Sequence, residues 1–156
     1  MRDEDLVFHV DFLNETNQGE QLSIVGGKGR LQSIYTPAME AVFKYTPFRV
    51  HERLPNVRFP SVETFLASKA AGTLVKKRPR DAFDAFITAS DQEPATLAER
   101  WGRLQDDGLF REANDNFLKA LYEGDAVEKI KAQLSSLGSP VPTDDKILET
   151  FAFLVE

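Results

Sequence analysis

The stretch Arg58–Gly72 reads RFPSVETFLASKAAG, and Glu63 is the residue in it whose type and place could do chemistry. Ser61 precedes it by two positions. Around them Val62, Phe65, Leu66 and Ala70 fall at helical spacing. Ser61 is therefore an expected N-cap, its hydroxyl accepting from an orphan amide of the first turn. Glu63 then lies in that first turn, where the positive end of the helix dipole favours a carboxylate. It is either an ordinary first-turn acid or a carboxylate that stabilises developing positive charge or activates water.

The other candidates are weaker. Trp101 and Arg103, in RWGR, could stack on and bind a nucleotide. Helical periodicity equally makes Trp101 a core residue with Arg103 covering it. KKRPR, from Lys76 to Arg80, is a small phosphate-facing patch or, more simply, a solvated connection broken by Pro79. Gly26, Gly27 and Gly29 surround Lys28, but the spacing is not that of a phosphate-binding P-loop and suits a flexible hairpin. His9 and His51 lack acidic or cysteine neighbours at metal-ligand spacing, so no metal site and no cofactor is expected.

Composition bounds what these residues can belong to. The chain has 156 residues, which suits one domain, residues 1–156, and 42% of them are hydrophobic, enough for a packed core. With no cysteine, disulfides, thiolate metal sites and a cysteine nucleophile are excluded. The net charge of −6 makes binding to a nucleic-acid backbone unfavourable. No apolar run approaches the ~18 residues of a membrane span. The opening MRDEDLVFHV lacks a signal-peptide pattern. A cytoplasmic protein that does not engage a membrane is the expectation.

The elements that must position Glu63 follow from periodicity. Leu6–Leu13 is β-rich and predicts a strand. Pro37 opens a short predicted helix over 37–45. Residues 47–59 predict two short strands around Leu54-Pro55-Asn56. Five helices then follow, over 61–72, 80–90, 93–104, 109–124 and 125–138, the last with Asp125 as cap and Gly138 at its end. The expected core is Phe65, Phe86, Leu97, Trp101, Phe117, Leu121, Ile130 and Leu134. Residues 139–145 predict a loop, and the tail KILETFAFLVE a strand beside the first. The expected fold is α+β: a small β-sheet including both termini, covered by a layer of about five helices.

The order of these parts resembles the NADAR family of YbiA-like proteins. The resemblance is carried by PFRV, by FPSVE opening a helix, by AFITASDQEPATLAERWGR, by FREANDNFLKALYEG and by the closing LSSLG and ILE. It implies N-glycosidase chemistry, the cleavage of a ribosyl–nitrogen bond in ADP-ribosylated or other N-ribosylated substrates. It places the family's functional glutamate at Glu63, where a carboxylate would face an oxocarbenium-like charge. The family's Gln and Lys, four and seven residues later, are replaced by Ala67 and Ala70, with Lys69 one position early. That shift turns a side chain by ~100° around a helix. The family's tryptophan falls near Leu109 or Phe110, and its Asp-x-x-Trp-Gly segment has no counterpart before Glu156.

The implied function is therefore a domain that binds ADP-ribose-like or other N-ribosyl ligands with degenerate catalysis. Glu63 is its catalytic candidate, and Lys69, Trp101 and Arg103 are its ligand-binding candidates. An active N-glycosidase using Glu63 is one alternative. An acidic α+β interaction module with a protein partner is the other.

Overall fold

The structure, a computed structural model, describes residues 60–155 in full and only the backbone of six short strands before them. These are β1 (Leu13–Asn14), β2 (Gln21–Ser23), β3 (Arg30–Gln32), β4 (Ile34–Tyr35), β5 (Arg49–His51) and β6 (Leu54–Phe59). They pair two at a time: β1 with β4 in parallel, β2 with β3 and β5 with β6 antiparallel. Residues 6–12 of the strand predicted over Leu6–Leu13, the glycine cluster, the helix over 37–45 and His9 lie outside the described residues, as does the side chain of His51.

From Pro60 to Val155 the chain is helical and contains no strand. The helices are α1 (Val62–Thr73), α2 (Pro79–Ser90), α3 (Pro94–Gly102), α4 (Gly108–Tyr122), α5 (Ala126–Ser136) and α6 (Asp144–Thr150), closed by a 3-10 turn over Ala152–Leu154. Among the described residues no helix is long and apolar enough to cross a membrane.

Local chemistry sets most of the boundaries. Ser61 Oγ accepts from the Thr64 amide at 3.3 Å and opens α1. Pro79 and Pro94 occupy the first turns of α2 and α3, where a missing N–H costs nothing. The Glu93 carboxylate caps α3, and hydrogen bonds from Thr96 and Ala95 hold it below its ordinary value. Asp107 accepts from the Leu109 amide at 2.9 Å and opens α4. After α5, Gly138 takes φ +66, its amide bonds Ser135 O, and the Ser139 amide reaches back to Leu134 O. That is the Schellman stop for which glycine is preferred.

The helices share one apolar core. α1 lies between α2 and α4, α2 also packs on α5, and α3 packs on the final 3-10 turn. Trp101 is the aromatic centre: Phe110 and Phe153 meet it edge-on at 5.5 and 5.3 Å, and Phe117 lies tilted at 6.4 Å. Its indole N–H donates to Asn114 Oδ1 at 3.1 Å, so its polar edge is satisfied inside. Of the eight expected core residues, seven are buried and Phe65 is half-buried. On α2 the buried face is Ala82, Ala85, Phe86 and Ala89, while Ile87 is exposed.

Two expectations are corrected. The C-terminal segment is α6 and a 3-10 turn, so no sheet joins the two termini and the α+β architecture does not hold. Thr143 Oγ1 accepts from the Lys146 amide at 3.3 Å, with Asp144 and Asp145 in the first turn, and this nucleates a helix in the expected loop. Ile147, Phe151 and Leu154 then fall at i, i+4 and i+7 and turn one face into the core. Second, the exposed connection expected from Lys76 to Arg80 ends at Arg78. Pro79 and Arg80 belong to α2, and Arg78 pairs with a buried carboxylate.

Candidate functional site

Glu63 stands in the first turn of α1 and is 6% exposed. Its Oε1 has no hydrogen-bond partner among the described residues. The cation facing it is Arg100 of α3, whose Nη1 lies 3.8 Å from that oxygen. This is ion-pair range but too long for a hydrogen bond. The Arg100 side chain is half exposed, so one partner of the pair is buried and the other reaches solvent. The sequence fixes Glu63 through the Ser61 cap. It does not mark Arg100, because the pairing comes from how α3 crosses the start of α1.

The three ligand-binding candidates are placed apart from this pair. Lys69 points to α2, with Nζ at 3.2 Å from Asp81 Oδ1 and 2.8 Å from Asp84 Oδ2, and it lies 5.2 Å above the Phe65 ring. Trp101 is 1% exposed and presents no free face for stacking. Arg103 is exposed at the end of α3 and pairs with Glu99 one turn back. Of the four candidate residues, only Glu63 combines burial with an unsatisfied polar atom.

The ion pairs of α2 form a closed set. Arg78 Nε meets Asp81 Oδ2 at 2.9 Å, and Arg80 Nε meets Asp84 Oδ1 at 3.5 Å. With Lys69 between them, both oxygens of both aspartates are engaged. Gly72 makes this closeness possible: a Cβ there would lie 2.0 Å from Asp81 Oδ2. Lys129 of α5 closes the end of α1. Its buried Nζ donates to Thr73 O at 2.8 Å and Val75 O at 3.3 Å, and pairs with Asp125 at 2.7 Å. Asp125 therefore serves as a counter-ion and not as the side-chain cap expected of it. Away from Glu63, a groove of about 510 Å³ runs between the end of α2, the start of α3 and α6. Phe86, Leu97 and Phe153 line it together with Lys146 and Glu149, which pair with each other at 2.7 Å.

Comparison with protein-family models, with curated proteins and with solved structures returned no match.

Proposed function

We propose that this chain is a ribosyl-ligand-binding domain of NADAR-like type centred on Glu63, with little or no turnover. The observation that carries the reading is the buried Oε1 of Glu63 at the start of α1, which has an ion pair with Arg100 and no hydrogen bond among the described residues. An unmade hydrogen bond on a buried polar atom costs about 1–3 kcal/mol, and more when the group is charged. A bound ligand can complete such an atom, and a sugar hydroxyl is one donor that suits a carboxylate.

Weak turnover follows from how the other candidates are used. Lys69 and Trp101 are committed to the helix seam and the aromatic core, and Arg103 pairs with Glu99. One carboxylate can stabilise a developing oxocarbenium charge. Cleavage also needs the sugar held, the leaving base gripped and a water placed, and each missing part lowers the rate by orders of magnitude.

The test is calorimetry with ADP-ribose and a product assay on ADP-ribosylated substrates, each with native protein and Glu63→Gln. Weak binding that the substitution abolishes, with negligible product, is the expected result. Rapid turnover lost in Glu63→Gln would restore an active N-glycosidase. Absence of both binding and turnover would discard the ribosyl reading in favour of an interaction module.

A further inference from the structure

We infer that Ser139–Thr143, the connection between α5 and α6, is a displayed polyproline II segment that a partner protein grips in an aromatic-lined groove with a basic rim. The inference is independent of the ribosyl reading above.

The connection reads SPVPT. Each proline holds its own φ at about −65°. Each also pushes the residue before it, here Ser139 and Val141, towards extended backbone. Thr143 follows at φ −67 and ψ 160, close to the polyproline II values of about −75° and about +145°. Both ends of the segment are fixed. Gly138, at φ +66, closes α5 just before it, and Thr143 Oγ1 accepts from the Lys146 amide just after it.

Exposure repeats with the period of that conformation. A polyproline II strand has about three residues per turn and therefore three edges. Ser139 and Pro142, three positions apart, are half-buried, whereas Pro140 and Thr143, also three apart, are exposed. Val141, on the third edge, is 45% exposed. One edge is thus rooted on the protein and two face solvent. Leu137, 63% exposed, adds an apolar side chain just before the segment.

The backbone is open as well. Among the described residues the carbonyls of Ser139, Pro140, Val141 and Pro142 accept no hydrogen bond. Exposed apolar edges and open carbonyls on a polyproline II strand suit an aromatic-lined groove: rings pack on the proline and its neighbour, and an indole N–H or a phenol O–H donates to a carbonyl. Because the segment is held at both ends, binding costs it little conformational entropy. Charge sets the rim. Asp144 pairs with Lys131 at 2.7 Å, whereas Asp145 has no ion pair among the described residues. A basic side chain beside the groove would face Asp145.

The experiment passes the whole protein over a panel of immobilised SH3 and WW domains, which are aromatic-grooved polyproline binders, and reads surface plasmon resonance. The proteins are native, Pro140→Ala, Val141→Asp, Asp145→Asn and Tyr122→Ser, each first checked by thermal melt. Tyr122 is an exposed residue at the end of α4 and serves as the control. Binding to at least one basic-rimmed domain is expected. Pro140→Ala and Val141→Asp should each weaken it about tenfold or more, Asp145→Asn should weaken it less, and Tyr122→Ser should leave it unchanged. Silence of the native protein across the panel overturns the inference. So does binding that survives Pro140→Ala or Val141→Asp, and so does binding that Tyr122→Ser abolishes, which would place the contact elsewhere. Binding indifferent to both Asp145→Asn and added salt overturns the basic rim.

Discussion

Helix α1 carries charge at both ends, and the ends are finished differently. Along its C-terminal half every charged group has a partner. Lys69 bridges Asp81 and Asp84, two arginines take the remaining aspartate oxygens, and Lys129 covers the last carbonyls. At its N-terminal end Glu63 is buried just as deeply, yet among the described residues one oxygen has no hydrogen-bond donor and its counter-ion stands off at 3.8 Å. The saturated end holds three helices together. At the other end one carboxylate oxygen has, among the described residues, an ion pair and no hydrogen bond.

The comparison can be broken most forcefully at Asp81. Asp81→Ala removes the carboxylate that Lys69 and Arg78 share, leaving Lys69 only Asp84, and each charge-assisted hydrogen bond lost costs about 1.5–3 kcal/mol. Urea unfolding should show that loss, and a midpoint close to native would mean the seam is not a brace. Gly72→Ala attacks the same place through space, since the new methyl displaces Asp81 Oδ2. Overpacking of this kind costs about 1–3 kcal/mol, again read from the urea midpoint. Glu63→Gln should change stability by less than about 1 kcal/mol, because among the described residues no hydrogen bond to Oε1 is lost and the ion pair it gives up is with the half-exposed Arg100. A drop as large as that of Asp81→Ala would make the two ends equivalent and remove the case for a site.

The smallest effect is one of pH. A hydrogen bond from Lys129 is the main cause holding the Asp125 carboxyl below its ordinary value of 3.8. The folded state therefore favours the ionised form. Its contribution is complete above pH 3.8 and is lost as the pH falls through the lower folded value. Asp125 is half exposed, so solvent keeps the effect modest. An acid titration of melting temperature should be slightly flatter in Asp125→Asn than in native protein. Identical curves would show that Lys129 is held by the carbonyls of Thr73 and Val75 alone.

The helices from Val62 to Ser136 were legible from their apolar spacing, and Ser61 and Pro94 marked two of the starts, whereas Pro79 read as the break in a loop and opens α2 instead. The last helix was not. KILETFAFLV is rich in residues that suit a strand, and its start signal, Thr143 with two aspartates, lies in a stretch that reads as a loop. Of the site, Glu63 was readable from its cap, whereas Arg100 was not, because pairing between helices leaves no periodic trace. The alanines of α1 and α2 carried information that hydrophobicity alone undervalues. Small residues decide how near two helices come, and that nearness places Lys69 on α2's aspartates and away from Glu63.

Lys129 has a consequence for the order in which the protein is made. The carbonyls it caps, on Thr73 and Val75, lie 56 and 54 positions earlier in the chain. During synthesis the end of α1 leaves the ribosome well before α5, so its carbonyls lack this partner until α5 has followed. Only then can the buried ammonium dock. A nascent chain halted between Gly124 and Lys129 would carry α1 and α2 but lack α5, and with it the group that closes the seam. The choice between a native seam and a frayed one is therefore made late, after most of the protein already exists.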